Sequence, residues 1–260
     1  MPQMKEGILN RFAFFTGGAL RLFFLSAYWC KDIRANADKV FFQIVVIGSD
    51  TLLVASVIGL SGGAVLALQT GPLLADFGIQ ETLGGLIGVA VSREIGPVMC
   101  SILVAGRLGS SITAELASMR VYDEIDALKT MKIDPVKFLV MPRLVAFAVS
   151  MPILVLLMIV TGWLGGALVG ATNPEISLPA VTYFNNLGDF VDLKTVLNGV
   201  IKALVFGFVI LVICCKIGLE TTGGPRQIGV SVTRAVVASI VMILVCDYFI
   251  SKILFLAGII

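Results

Sequence analysis

The chain has 260 residues, of which 58% are hydrophobic and only 14% carry a charge. Soluble domains average about 45 to 50% apolar and about 25% charged residues, so this composition leaves too little polar surface to coat a water-soluble globule. The net charge of +2 excludes the strongly basic surface typical of nucleic-acid binding, and the absence of histidine removes the commonest general base and metal ligand. Composition therefore predicts an integral membrane protein.

The first 39 residues combine positive charge with an apolar stripe. Ile8, Phe12, Phe15 and Leu22 recur at the steps of three and four that place side chains on one helix face. This pattern predicts an amphipathic helix in the membrane interface over residues 1–39, although burial against spanning helices would produce the same stripe.

The remainder of the chain, residues 40–260, contains five apolar segments. A spanning helix needs roughly 20 mainly apolar residues, and each segment approaches or exceeds that length. The predicted spans run from Ile44 to Leu68, from Thr82 to Val104 with a helical continuation toward Met119, from Leu144 to Gly170, from Val196 to Cys215 and from Ala235 to Leu256. The fold class is therefore all-α, with five transmembrane helices after the interfacial helix.

Lysine and arginine set the expected orientation of these spans. The N-terminal region and the loops after spans two and four hold fourteen of these residues, whereas the two alternate loops hold only Lys194. Short cytoplasmic loops carry the positive excess. The N-terminus is therefore expected in the cytoplasm and the C-terminus on the opposite side.

Small residues recur at every fourth position in several spans. Gly59 and Gly63 in the first span, and Gly84 and Gly88 in the second, follow this spacing. Glycine allows helix backbones to approach closely in lipid, where the hydrophobic effect does not drive helices together. We expect these ridges to pack helices, with a functional hinge as the less favoured interpretation.

The second predicted span carries charges at its centre. Arg93 lies about eleven residues, or roughly 16 Å, from the start of the span, and Glu94 follows it. A single charge at this depth costs about 2.5 to 3.5 kcal/mol on insertion scales. Pro97 cannot donate a hydrogen bond to the carbonyl of Arg93, which predicts a kink. The sequence therefore favours a substrate or gating site here over a structural ion pair.

Depth along the spans suggests partners for these charges. Neighbouring residues point about 100° apart on a helix, so Arg93 and Glu94 should each have another partner. Asp247 is expected level with Arg93, and Lys202 somewhat nearer the outer surface. Asp50 is expected near the level of Arg107. An Arg93–Asp247 ion pair is the specific prediction.

The loop between spans two and three predicts a short amphipathic helix over about residues 119–135. Apolar positions recur at helical spacing on one face, with charged residues elsewhere, and the pattern ends at Asp134 and Pro135. The apolar face consists of Val121, Ile125, Leu128 and Met131. Anionic headgroups would repel its several carboxylates, so docking of a cytoplasmic protein is favoured over a position on the membrane.

Four sequence blocks follow one another across the second span and the loop after it. The blocks are R-E-x-G-P at 93–97, A-G-R-x-G-S-x-x-x-A-E at 105–115, M-R-x-x-x-x-I-D-A-L at 119–128 and D-P-x-x-x-L-V-x-P-R at 134–143. With these blocks the chain resembles the MlaE family, the permease subunit of ABC transporters that move phospholipids between bacterial membranes. The order of the blocks, the chain length and the number of spans also match that family.

This resemblance implies an assembly. Two permease copies would pair in the bacterial inner membrane and bind a dimer of a separate ATPase, which would hold ATP and magnesium, so no cofactor is expected in this chain. A periplasmic MCE-domain protein would continue the lipid path, and some family members also have a STAS-domain subunit. The loop helix resembles the family's coupling helix, whose expected contact residues are Arg120, Glu124, Asp126, Leu128 and Asp134.

The resemblance also implies a phospholipid cavity between the two copies, near the outer leaflet. By similarity, the outer end of span one would line it through Leu66, Leu73, Leu74 and Phe77. Glu94 would lie beneath these side chains. Gly71 and Pro72 are expected to break the helix near this cavity.

Two other classes of function compete with a lipid permease. A secondary transporter or channel could also place charges at mid-membrane, but such folds usually show internal repeats, which this chain lacks. An intramembrane lipid-modifying enzyme would need a nucleophile, base or metal constellation, which a chain without histidine and without clustered aspartates does not offer.

Overall fold

A computed structural model describes residues 17–18, 21–22, 24–26, 28–29 and 37–256, apart from the side chains of Ser49 and Asp50. The described pieces before residue 30 are helical, but most of the predicted interfacial helix over residues 1–39 lies outside the described residues. Within residues 37–256 every regular element is helical.

Seven helices follow one another from residue 37, and five of them are long and apolar enough to cross a membrane. The spanning helices are α1 (Ala37–Asp76), α2 (Gln80–Val121), α4 (Val136–Thr172), α6 (Leu193–Leu219) and α7 (Pro225–Leu256). Two short helices, α3 (Glu124–Thr130) and α5 (Ala180–Phe190), lie between them. The predicted all-α, five-span membrane fold is confirmed, and the helices extend beyond the predicted spans into the polar flanks.

Helix α1 continues through Gly71 and Pro72, so the break predicted there is wrong. Pro72 removes only one backbone hydrogen bond near the end of a 40-residue helix, which the remaining turns sustain. Gly71 has a packing role instead, because the side chain of Ile176 fills the space that a Cβ would need.

Helix α2 contains two wide π-helical turns, at Val91–Ile95 and Ala105–Gly109. In the first, the N–H of Gly96 donates to the carbonyl of Val91, five residues earlier. This turn ends two residues before Pro97, which cannot donate the regular hydrogen bond to the carbonyl of Arg93. The structure therefore has a π turn that carries Arg93 and Glu94 before Pro97, and the predicted kink stays a prediction.

The described chain divides into two compact units. One contains residues 45–104, 148–207 and 243–256. Its core cluster includes Leu83 and Ile87 of α2 together with Tyr183 and Leu187 of α5. Helix α5 was not predicted, because its eleven residues are too few and too polar to be recognised as a span.

Glycine packing in this unit agrees with the predicted small-residue ridges. A Cβ at Gly63 would collide with the backbone carbonyl of Gly162 in α4, and one at Gly59 would collide with Thr161 and with the backbone of Met158. The two helices therefore lie in backbone contact along this stretch. The close approach fixes α1 beside α4.

The other unit contains the described residues up to 44 together with residues 105–147 and 208–242. Within it, α6 packs against α2, where Gly218 lies next to Leu116 and where Thr113 lies near the carbonyl of Cys214. It also contains α3.

Candidate functional site

A buried lysine lies at the centre of a charged cluster formed by α2, α6 and α7. The ammonium group of Lys202 donates to Glu94 Oε2 at 2.7 Å, to Asp247 Oδ1 at 3.0 Å and to Ser251 Oγ at 2.7 Å. Ser251 in turn donates to Glu94 Oε1 at 3.3 Å. An ammonium group has three N–H donors, so each donor of Lys202 has an acceptor. The cluster is therefore fully hydrogen-bonded around a lysine with no exposed surface.

These contacts correct the predicted Arg93–Asp247 ion pair, which is wrong because Asp247 binds Lys202 instead. Lys202 lies nine residues inside the start of α6, and Asp247 lies nine residues before the end of α7. The two side chains are therefore level, whereas the sequence placed Lys202 nearer the surface because the predicted fourth span began three residues too late.

Arg93 and Glu94 have separate partners, as expected from their positions on the helix. Arg93 Nη2 lies 3.5 Å from the hydroxyl of Thr195, a long contact, and its Nε is buried without a hydrogen-bond partner among the described residues. No carboxylate among the described side chains pairs with Arg93. Among the described side chains, the guanidinium of Arg93 thus has no counter-ion, although Glu94, the next residue, belongs to a cluster of one ammonium and two carboxylates.

Glu94 is the exposed member of the cluster. Its side chain is 47% exposed, whereas that of Asp247 is 22% exposed. The residue after it, Ile95, lines a pocket of about 340 Å³ between α1, α2 and α4. Apolar side chains, among them Leu66 and Met158, and glycine backbone form most of its surface. The recess therefore begins at the residue that follows Glu94 in the π turn, and Glu94 itself does not line it.

The four side chains expected to line a lipid cavity occupy two kinds of environment. Leu66 and Leu74 are half-buried against the core cluster of their unit. Leu73 is 58% exposed and Phe77 is 77% exposed. Only Leu66 of the four lines the pocket beside Ile95, so the part played by the other three stays a prediction.

The predicted coupling helix is shorter in the structure than in the sequence prediction. Helix α3 covers Glu124–Thr130, whereas Arg120 and Val121 form the end of α2. Asp123, at positive φ, makes the turn between the two helices. Of the predicted apolar stripe, Ile125 is buried, Leu128 is half-buried and Met131 is exposed.

Asp126 joins the end of α2 to α3. Its two carboxylate oxygens accept hydrogen bonds from Arg120 Nη1 and Lys129 Nζ, both at 2.7 Å. The hydrogen bond from Lys129, together with the charge and hydrogen bond of Arg120, holds the pKa of Asp126 below its usual range. The carboxylate is therefore ionised at neutral pH and fixes the angle at which α3 leaves α2.

The other expected coupling residues have distinct positions. Asp134 accepts a hydrogen bond from the backbone N–H of Val136 at 2.8 Å and so caps the start of α4. Glu124 is exposed in the first turn of α3. Arg107 is half-buried in the second π turn of α2. The side chain of Asp50 lies outside the described residues, so its pairing with Arg107 stays a prediction.

Sequence reasoning missed an ion pair between α2 and α4. Arg143 Nη2 lies 2.6 Å from Glu115 Oε1, and the arginine side chain is only 3% exposed. Both residues end sequence blocks that carried the family resemblance, A-G-R-x-G-S-x-x-x-A-E and D-P-x-x-x-L-V-x-P-R. The sequence signal that could have predicted this ion pair was the opposite charge of the last residues of these two motifs.

Several known permeases are similar to this chain over most of its length. A family model described as permease MlaE matches residues 40–253. A probable ABC transporter permease protein of Rickettsia typhi is 38% identical over 213 residues, which is 82% of each chain. One from Synechocystis is 34% identical over 94% of this chain and 89% of its own. The intermembrane phospholipid transport system permease protein MlaE of Haemophilus influenzae is 33% identical over 87% of each chain. The chain therefore belongs to the MlaE permease family.

Proposed function

We propose that the chain is the membrane-spanning permease subunit of an ATP-driven transporter that moves phospholipids between two membranes. The observation that carries this proposal is the charged cluster around Lys202. Arg93, next to Glu94, has no carboxylate partner among the described side chains, and Ile95 on its other side lines an apolar recess. Family membership and the printed name of the Haemophilus relative support the same function. They favour it over a secondary transporter, a channel or a lipid-modifying enzyme.

The site matches the chemistry of a phospholipid. A lipid needs an extended apolar surface for its chains and a few polar groups for its headgroup. The phosphate would bind the guanidinium of Arg93, whose Nε has no partner among the described residues. Leu66 of the recess, with Leu73, Leu74 and Phe77, would contact the acyl chains, and Glu94 would bound the headgroup from below.

The assembly is a further part of the proposal. Two copies would enclose the lipid cavity between them, with the exposed side chains of Leu73 and Phe77 facing it. A dimer of a separate ATPase would bind ATP and magnesium and dock on α3 and its flanks, through Arg120, Glu124, Asp126, Leu128 and Asp134. A periplasmic MCE-domain protein would receive or deliver lipid, and a STAS-domain subunit would accompany the ATPase.

The expected orientation assigns α3 to the cytoplasmic side of a bacterial inner membrane. The N-terminus would then be cytoplasmic and the C-terminus periplasmic, in accord with the excess of lysine and arginine in the corresponding loops. Closure of the ATPase dimer would push on α3, and the rigid spans would narrow the cavity and expel the lipid.

Exchange of charge at Glu94 tests this proposal. In the purified complex reconstituted into vesicles, Glu94→Lys should abolish ATP-dependent lipid transfer, because a second cation would face Lys202 and close the headgroup site. Glu94→Gln preserves the shape and should reduce transfer less. Glu175→Lys, at an exposed carboxylate between α4 and α5, is the matched control. Normal transfer by the Glu94→Lys complex would overturn the proposed site, and transfer without ATP would overturn the ATP-driven mechanism.

A further inference from the structure

A second pocket lies between the start of α1, the last part of α2 and the start of α4. It has a volume of about 330 Å³ and is lined by two acids, Asp38 and Glu115, and two bases, Lys39 and Arg143. Phe42 and Phe138 add aromatic surface. We call it the four-charge pocket. None of its residues belongs to the cluster around Lys202 or to the recess lined by Ile95.

Arg143 is the buried cation of this pocket, and its hydrogen-bonding capacity is not exhausted. Nη2 pairs with Glu115, but Nη1 is buried and has no hydrogen-bond partner among the described residues. An unpaired buried donor is costly, so rotation of the Arg143 guanidinium toward a hydrogen-bond acceptor bound in the pocket that this residue lines would be favourable. An anionic oxygen would satisfy it best.

The other three charges are accessible. Asp38 and Lys39 are exposed in the first turn of α1, and the side chain of Glu115 is 55% exposed. Lys39 Nζ lies 3.4 Å from the centre of the Phe138 ring, which holds the ammonium over the pocket and leaves its other donors open. The pocket therefore presents two cations and two carboxylates at once.

This charge pattern selects a zwitterion over a simple anion. A free phosphate would meet two carboxylates as well as two cations, so it would gain little net attraction. A ligand that carries both a phosphate and a primary amine could pair with all four groups. The aromatic side chains next to these charges, with Phe42 63% exposed on a spanning helix, match a glycerol backbone and the first carbons of acyl chains.

We propose that the four-charge pocket binds the headgroup of an aminophospholipid such as phosphatidylethanolamine. Arg143 and Lys39 hold the phosphate, Asp38 and Glu115 hold the ammonium, and Phe42 and Phe138 contact the glycerol region. Bound lipid would join the starts of α1 and α4 to the end of α2. The site is additional to the proposed transport site and does not depend on it.

Photolabelling in vesicles tests this proposal. The full chain in its complex is reconstituted into vesicles of equal amounts of phosphatidylethanolamine and phosphatidylglycerol. Two samples are prepared, and in each of them a trace of one of the two lipids carries a photoreactive diazirine near the glycerol. Peptide mass spectrometry then locates the adducts. Phosphatidylethanolamine should label the segments around Phe42 and Phe138 in preference to phosphatidylglycerol. The variants Asp38→Asn and Lys39→Gln should each lower this labelling about five-fold.

The controls separate this site from the transport site. Lys194→Gln removes an exposed lysine at the start of α6 and should leave the labelling unchanged. Labelling of peptides around Leu66 reports on the proposed transport site and should persist in the Asp38 and Lys39 variants. Equal labelling by both lipids, no effect of the two variants, loss at both sites together, or displacement by excess inorganic phosphate would each overturn the proposal.

Discussion

A lysine in the middle of a membrane protein is tolerated only if its charge is paired and its donors are satisfied. Lys202 meets both conditions, because two carboxylates and a hydroxyl from two neighbouring helices surround its ammonium group. The same cluster holds the π turn of α2 in register with α6 and α7. Its geometry gives Lys202 a structural role alongside the proposed function of Glu94.

Removal of the lysine charge should therefore destabilise the protein. Lys202→Met leaves Glu94 and Asp247 as two carboxylates without a cation, and we expect a loss of about 3 kcal/mol in the free energy of unfolding. Addition of Glu94→Gln and Asp247→Asn should restore part of it, because the triple variant contains no uncompensated carboxylate. Thermal unfolding in detergent, followed by size-exclusion chromatography, measures both effects.

Lys252→Met provides the matched control for this experiment. Lys252 is exposed on the same helix as Asp247, one position after Ser251, and should be replaceable without loss. Equal melting temperatures for the Lys202 and Lys252 variants would show that the cluster does not contribute to stability.

The charged positions could be recognised from sequence, but their partners could not. A charged residue inside an apolar segment is conspicuous in the sequence, because its insertion into lipid costs free energy. Glu94, Lys202 and Asp247 were therefore all predicted to be functional or paired. The partner of Asp247 depended on the depth of Lys202, and an error of three residues in the start of a span moves a side chain by about 4.5 Å along the helix. The Arg143–Glu115 pair was missed for a related reason, since both residues lie at span ends where charges are common.

At the scale of helices, two prolines in spanning helices have different effects on the helix that contains them. Pro72 lies close to the end of α1, and the helix continues past it. Pro97 lies in the middle of α2, and a π turn precedes it. Hydropathy located the five spans because lipid imposes length and composition on them. Hydropathy did not predict helix α5, although Tyr183 and Leu187 have the spacing of a buried helix face.

The contact between α1 and α4 leads to a prediction about two adjacent glycines. Gly63→Ala should lower the free energy of unfolding by about 1 to 3 kcal/mol, because its methyl group would overlap the carbonyl oxygen of Gly162. Gly62→Ala is the control, since no atom lies within 4 Å of the Cβ position there. The melting temperature of the Gly63→Ala variant should be lower than that of the Gly62→Ala variant. Equal melting temperatures would rule out a tight backbone contact at Gly63.

At the scale of the whole molecule, the charged residues form two groups with different proposed functions. Most lysines and arginines lie outside the apolar segments predicted as spans, in the N-terminal region and in the loops that include α3. Within those segments, Glu94, Lys202 and Asp247 form one charged cluster. An ATP-driven permease needs both features, a surface that receives force from the ATPase and a polar site that holds lipid. We therefore expect substitutions in the two regions to separate docking from lipid binding.

Asp126 is the residue that best tests docking. Asp126→Asn removes its pairs with Arg120 and Lys129, which frees α3 to change its angle to α2. Association with the ATPase should weaken about five-fold, as expected for the loss of exposed ion pairs, while photolabelling by lipid around Leu66 stays at the wild-type level. Co-purification of the ATPase at graded detergent and salt concentrations measures the first effect, with Asp189→Asn on α5 as the control.

The pKa of Asp126 gives this prediction a pH dependence. Because the folded pKa lies below its usual value, the ion pairs are fully present above the ordinary carboxyl range, near pH 4, and are lost only as the pH falls through the lowered pKa. Association of the wild-type chain with the ATPase should therefore not vary with Asp126 ionisation between about pH 6 and pH 8. The Asp126→Asn chain should be weaker by the same factor throughout this range. A difference between the two chains that appears only at one end of the range would indicate that another group, and not Asp126, controls docking.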